Sequence, residues 1–186
     1  MRIILNGPPG SGKDTIANHL EGYNSFEVYS FKKHLIEIAL LTSRVDYIDW
    51  WKRYNDRDLK DTPWDVLGGL SQRQYLIKIS EEWIKPVHGE SYFGDILAHE
   101  IKYEEADVVI SDSGFDAEAV PVIQLGDTLV VYLYRDGCSY EGDSRSYLSP
   151  SLGSQTVTVH NNGTVLEAMH KILKAASDGG LKRKGE

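Results

Sequence analysis

The chain has 186 residues, enough for one well-cored α/β domain and short for two. Its 41% apolar and 26% charged residues are ordinary for a globular protein, and a net charge of −8 argues against a general binder of nucleic acid or anionic membrane, which needs broad basic surface. One cysteine, Cys138, excludes an intrachain disulfide, and no apolar run approaches the ~20 residues of a membrane span. Met1 leads directly into the first predicted strand, with no room for a signal peptide, so a cytoplasmic location is expected. The six histidines are scattered, without the spacing of a zinc site, and no internal repeat is present.

In chain order, the apolar run Arg2-Ile3-Ile4-Leu5 predicts a strand, and Ile16, Ala17 and Leu20 begin a helical pattern. Between them, Gly7-Pro8-Pro9-Gly10-Ser11-Gly12-Lys13-Asp14-Thr15 satisfies the spacing G-x-x-x-x-G-K of a phosphate-binding P-loop. Glycines at 7, 10 and 12 let the backbone curl with its N–H groups inward, and the positive end of the new helix adds to the field on a polyphosphate. Gly7, Gly10, Ser11, Gly12, Lys13, Asp14 and Thr15 are therefore the candidate nucleotide-binding residues, with Lys13 reaching the outer phosphates. Asp14 stands where Ser or Thr would offer a hydroxyl to Mg²⁺, and Thr15 comes one position late. Such a carboxylate holds the metal directly or through water, at the cost of negative charge beside a triphosphate. A glycine-rich turn that merely links strand to helix is the competing explanation.

Phe26-Glu27-Val28-Tyr29 predicts a second strand, with Ser30 as N-cap of a helix whose face carries Phe31, Leu35 and Ile38. Lys32 and Lys33 in its first turn oppose the helix dipole, which suits either an anion site or a solvated surface. From Thr42 to Gly69 charged and aromatic residues alternate without period, which predicts short helices and loops. Ser71-Gln72-Arg73-Gln74 has the form of a capping box, opening a helix with Leu76, Ile79 and Trp83 as its buried stripe and Pro86 beyond its end. Arg73 lies off that stripe, as an exposed residue or as a phosphate clamp.

Phe93, Ile96, Leu97 and Ile101 mark the next helix, followed by the strand Asp107-Val108-Val109-Ile110 and Ser111-Asp112. Asp112 at a strand end is a candidate Mg²⁺ ligand, or else the cap of a turn. Residues 117–125 are expected to be helical, shortened or bent by Pro121. Thr128 to Tyr134 reads as a buried strand ending at Arg135. Residues 136–155, rich in Gly, Ser and charge and carrying Arg145, read as an active-site lid or as a disordered surface loop. Thr156-Val157-Thr158-Val159 is the last strand, and Val165, Met169, Ile172 and Ala176 line the last helix before a polar, frayed tail over 177–186. Five strands separated by helices imply an α/β fold: a parallel sheet covered on both faces, with ligands at the carboxyl ends of the strands.

Four pieces of the chain carry a family resemblance: Gly12-Lys13-Asp14-Thr15; Ser71-Gln72-Arg73-Gln74 through Ser80-Glu81 to Tyr92-Phe93-Gly94; Val109-Ile110-Ser111-Asp112 with Phe115 and Glu118; and Asn161-Asn162-Gly163-Thr164. Over most of residues 1–175 they resemble the nucleoside monophosphate kinase branch of the P-loop kinases, and within it the deoxynucleoside monophosphate kinases of bacteriophages. The resemblance implies a three-layer P-loop fold with strand order 2-3-1-4-5, in a single kinase domain over residues 1–176. It also implies a helical acceptor-binding region across 42–105, a lid around 136–155 and, for a phage protein, the host cytoplasm. Where related proteins often carry an arginine shortly after the strand-end aspartate, this chain has Ser113-Gly114.

The activity expected is transfer of the γ-phosphoryl group of ATP, with Mg²⁺, to a (deoxy)nucleoside monophosphate, by a monomer or homodimer. The acceptor phosphate is already anionic near neutral pH, so positioning and charge stabilisation suffice. Lys13 serves the donor side, Arg73, Arg135 and Arg145 the acceptor and transferring phosphates, and Asp14 and Asp112 the metal. Trp50, Trp51, Trp64, Tyr92 and Phe93 fall in the acceptor region, where base stacking competes with plain burial. Two other readings stand beside this one: a kinase of a small-molecule hydroxyl, like dephospho-coenzyme A kinase or a small-sugar kinase, with Asp14 or Asp112 as base, and a non-catalytic NTP-binding module.

Overall fold

The structure is a computed structural model that describes residues 1–153 and 155–183; Ser154, in the expected lid, and 184–186, in the expected tail, lie outside the described residues. In chain order the main elements are β1 (Arg2–Asn6), α1 (Lys13–Asn24), β2 (Phe26–Tyr29), α2 (Lys32–Ser43), α3 (Tyr47–Tyr54), α4 (Arg57–Lys60), α5 (Gln72–Lys78), α6 (Lys85–His88), α7 (Tyr92–Ile101), β3 (Asp107–Ile110), α8 (Asp116–Ile123), β4 (Thr128–Tyr134), β5 (Gln155–His160) and α9 (Val165–Asp178). Two compact units divide them: Met1–Phe31 with Gly94–Glu186, and Lys32–Phe93. No helix among the described residues is long and apolar enough to cross a membrane.

The first unit holds the five-stranded sheet, all parallel, in the order β2-β3-β1-β4-β5 expected above. Parallel strands covered on both faces read as continuous apolar runs, which is why β1, β3 and β4 were visible in the sequence. Alternation then sorts their side chains: Ile3 and Leu5 join α1 and α9 on one face, through Ile16, Leu20, Met169 and Ile172. Ile4 joins Val108, Ile110 and Val130 on the other face, under Leu97 and Ile101 of α7 and Val122 of α8. Gly94 permits the close approach of α7 to α8, since a Cβ there would lie 2.1 Å from the Glu118 carbonyl oxygen. Because every strand runs the same way, the segments after β1, β2, β3, β4 and β5 all emerge at one end of the sheet.

Through Arg183, the tail is more ordered than its polarity predicts. The helix α9 continues to Asp178, Leu181 is buried with the α1–α9 cluster, and Arg183 Nε donates to Asp107 Oδ2 at 2.9 Å. The same buried carboxylate accepts from the Met1 ammonium, and two cations offset the cost of desolvating it.

The second unit, Lys32–Phe93, is helical, with Ile36, Ala39, Trp50, Tyr75, Leu76 and Ile79 at its core. The capping box at Ser71 is present, with Gln74 N–H donating to Ser71 Oγ and Ser71 N–H to Gln74 Oε1. Trp83 departs from the expected stripe and is 42% exposed, against 0% for Ile79. A π-helical segment over Ile79–Ile84 adds a residue to the turn and rotates Trp83 off the buried face, a break that 3.6-residue periodicity does not reveal. The helical run also passes Pro86, which sits in the first turn of α6 where its missing N–H costs nothing.

Candidate functional site

The glycine-rich loop lies between β1 and α1 at the carboxyl end of the sheet. Gly12 has φ of +96°, and a Cβ on it would lie 2.4 Å from Asn161 Nδ2, so both its conformation and the space beside it demand glycine. Gly7 needs only the space: its Cβ would meet the Leu133 carbonyl oxygen and Ser11 Oγ, each at 2.7 Å. Asn161, in the turn after β5, donates from Nδ2 to the Ser11 carbonyl at 2.8 Å and from its own N–H to the Tyr134 carbonyl at 2.7 Å. That one residue, through its side chain and its backbone N–H, ties the loop to the ends of β4 and β5. No side chain caps the N-terminus of α1 among the described residues, which leaves the N–H groups of its first turn to face the loop.

Lys13 is buried, and its ammonium is held inside the loop, donating to the carbonyls of Gly7 at 2.6 Å and Pro8 at 2.8 Å. Asp14 and Thr15, next on α1, are exposed. Arg135, just after β4, reaches back to the Gly10 carbonyl at 3.3 Å. With Gly12, Thr15, Asn161, Gly163 and Val165 it lines a shallow cleft of about 150 Å³ beside the loop.

Asp112 is 7% exposed at the end of β3. Its Oδ1 accepts from the Phe31 backbone N–H at 2.8 Å and its Oδ2 from Ser30 Oγ at 3.0 Å. Ser30 lies just before α2, which starts at Lys32; its hydroxyl donates to Asp112, and the aspartate fixes the turn after β2. Mg²⁺ bound with a nucleotide takes one or two carboxylates, phosphate oxygens and waters, and needs no cage of protein ligands. The donor set suits that arrangement: Asp112 at the end of β3 supplies one carboxylate, and Asp14 adds a second, exposed one. No group of three or more potential metal-ligating side chains occurs among the described residues.

The segment after Arg135 is docked against the end of the sheet. Asn6, the last residue of β1 and fully buried, accepts at Oδ1 from the Leu148 N–H at 2.9 Å. Its Nδ2 donates to Tyr140 Oη at 3.2 Å and to the Ser146 carbonyl at 3.3 Å. Tyr147 stacks on Tyr134 at 4.6 Å between ring centres and meets Tyr140 edge-on at 5.1 Å, while Ser149 N–H donates to Asp116 Oδ1 at 2.9 Å. Burial pushes the Tyr147 phenol up to about 12 and raises the Tyr140 phenol too, so both are protonated at neutral pH; Arg145 and the Gly7 N–H partly offset the shift at Tyr140. Arg145 rises from this segment with its guanidinium forked onto Asp143, Nε to Oδ1 at 2.9 Å and Nη2 to Oδ2 at 2.7 Å.

The first unit thus brings together the loop, Lys13, Asp112, Arg135 and Arg145. Arg73 belongs to the second unit, where it forms a half-exposed pair with Asp61, Nε to Oδ1 at 2.7 Å. Of the aromatic residues weighed for base contact, Trp50 and Phe93 are buried, while Trp51, Trp64 and Tyr92 are part-exposed. Sequence reasoning did not assign Asn6, Tyr140, Asp143 or Asn161. A polar residue closing the apolar run of β1 was the visible signal for Asn6, and the motif beginning at Asn161 was that for Asn161.

No family model and no curated protein matches the chain. Among solved structures, the shikimate kinase of Aquifex aeolicus is similar at a TM-score of 0.51 and 17% identity, over 97% of this chain and 99% of that one. The shikimate kinase of Acinetobacter baumannii, in complex with shikimate, is similar at 0.50 and 18%, over 97% of this chain and 95% of that one. At such identities the likeness is one of fold, and that fold, with its strand order and loop position, is the one found in P-loop kinases.

Proposed function

We propose that the protein is an ATP-dependent phosphotransferase whose acceptor is a (deoxy)nucleoside monophosphate. The observation that carries the reading is the loop itself, with Lys13 buried in it and Arg135 and Arg145 on the same unit. The triphosphate lies along the N–H groups of residues 10–15, with the adenosine portion in the cleft beside Arg135 and Asn161. Lys13 and Arg135 offset charge on the donor, and Arg145 that on the transferring or acceptor phosphate. Mg²⁺, held by Asp112 and by Asp14 directly or through water, supplies further charge neutralisation on the phosphates when bound. An acceptor phosphate oxygen attacks the γ-phosphorus, the bond from that phosphorus to the β-phosphate oxygen breaks, and ADP departs with the electron pair.

An acceptor that is already anionic is favoured by the carboxylates at this end of the sheet. Asp112 is hydrogen-bonded by Ser30 and Phe31, Asp116 by Ser149, and Asp143 by Arg145. A hydroxyl acceptor needs a carboxylate base, for which the exposed Asp14 is the candidate without a hydrogen bond to another element among the described residues; a phosphate acceptor needs none. The test is ADP release from ATP and Mg²⁺ with a panel of ribo- and deoxyribonucleoside monophosphates, shikimate, gluconate and dephospho-coenzyme A. Stimulation at least tenfold over the acceptor-free rate by one or more monophosphates is expected. Stimulation by a hydroxyl acceptor alone, or by no acceptor, overturns the reading.

A further inference from the structure

Gly114 has an ordinary negative-φ or extended backbone, so nothing in its conformation requires glycine. The space above it does. A Cβ on Gly114 would lie 2.4, 2.6 and 2.9 Å from Cβ, Cγ and Cδ of Arg145, which means the arginine stem lies directly on the glycine. The following residue fixes the contact, Ser146 N–H donating to the Gly114 carbonyl at 3.0 Å. At the other end of the side chain, Asp143 takes the Nε and Nη2 edge of the guanidinium and is itself only 10% exposed. The Nη1 nitrogen makes no hydrogen bond among the described residues. A guanidinium buttressed along one edge presents its remaining N–H groups in a fixed direction, which is the geometry that binds an oxyanion through two parallel hydrogen bonds. Asp112 and Tyr140 are close enough to Arg145 to interact with its charge.

Resting on the function proposed above, we propose that Arg145 is a preset phosphate ligand, and that Gly114 and Asp143 are the positioning residues that seat it, so that docking of residues 140–149 on the sheet persists through turnover. Asn6 secures that docking from β1 through Tyr140, Ser146 and Leu148. Arg145 then requires no closing motion to reach the phosphates, because its stem is seated on Gly114 and Asp143 holds both its charged edge and its backbone N–H.

The seat can be tested by moving the arginine. Arg145→Gly is expected to lower kcat at least 100-fold. Gly114→Ala keeps every charge but displaces the stem, and is expected to lower kcat at least tenfold with KM for ATP within twofold. In Gly114→Arg/Arg145→Gly the new side chain starts where the old stem ran, and the deleted Cβ removes the clash; kcat is expected at least tenfold above that of Arg145→Gly. Asp143→Asn keeps the shape of the buttress and is expected to lower kcat about tenfold, and it carries the test if either Gly114 variant fails to fold. Gly114→Ala and Asp143→Asn both turning over within twofold of the wild type would overturn the proposal, as would a folded double variant no faster than Arg145→Gly. If the wild type releases no ADP with any acceptor, the function reading fails separately. Titration of inorganic phosphate in the presence of ADP and Mg²⁺ still decides the seat, a tenfold weaker Kd in Gly114→Ala supporting it and an unchanged Kd overturning it.

Discussion

Lys13→Ala is expected to reduce ADP release by about three orders of magnitude, the loss typical when a preorganised charge is removed from a reacting phosphate or oxyanion. The ammonium is buried inside the loop. Its hydrogen bonds to Gly7 and Pro8 mean that the substitution also leaves two carbonyls without their donor, a cost of about 1–3 kcal/mol for each that stays buried and unsatisfied. Some loss of stability is therefore expected beside the loss of activity. Lys13→Met, close in length and apolar, gives the same structural deficit, whereas Lys13→Arg restores charge but not the compact ammonium that fits between the two carbonyls. The measurement is a coupled assay of ADP release with a thermal melt of each variant. Turnover near the wild-type rate in a folded Lys13→Ala protein would remove the loop from the chemistry.

The second large effect is expected at Asp112. Asp112→Asn keeps the shape of the side chain: its amide oxygen still accepts from the Phe31 N–H, and the Ser30 hydroxyl turns to accept from the new amide nitrogen. The turn after β2 is thus preserved, and the melting temperature should change by only a few degrees. What disappears is the negative charge. If Asp112 helps hold Mg²⁺, kcat falls by about 100-fold and the Mg²⁺ concentration for half-maximal rate rises at least tenfold. If the aspartate only staples the turn, activity and Mg²⁺ dependence stay near wild type. Asp112→Ala loses both hydrogen bonds and does not separate the two roles, which makes the asparagine variant the informative one.

The architecture was legible because buried parallel strands are continuous apolar runs and because the loop announces the first strand and helix at once. Three local features were not. The exposure of Trp83 follows from a π-helical turn, and an inserted residue leaves no mark in a pattern read at 3.6 residues per turn. The position of Arg183 depends on Asp107, 76 positions away in sequence, meeting two cations at the start of β3. The packing of Arg145 on Gly114 joins two residues that look unremarkable separately, an arginine in a polar loop and a glycine after a strand. Sequence reading placed an arginine on the segment after β4 but had no means of finding its seat, because the seat consists of a missing side chain. The absence of an arginine at Ser113-Gly114 gains a physical reason: any side chain at 114 would occupy the volume of the Arg145 stem.

The proposed acceptor is tested most directly by the bond made in the product. After incubation of the protein with ATP, Mg²⁺ and the most stimulating nucleoside monophosphate, phosphorus NMR is expected to show two new mutually coupled doublets from a nucleoside diphosphate, formed in equal amount with ADP. A new phosphomonoester singlet from a hydroxyl acceptor, or inorganic phosphate alone, would contradict phosphoryl transfer from one nucleotide to another.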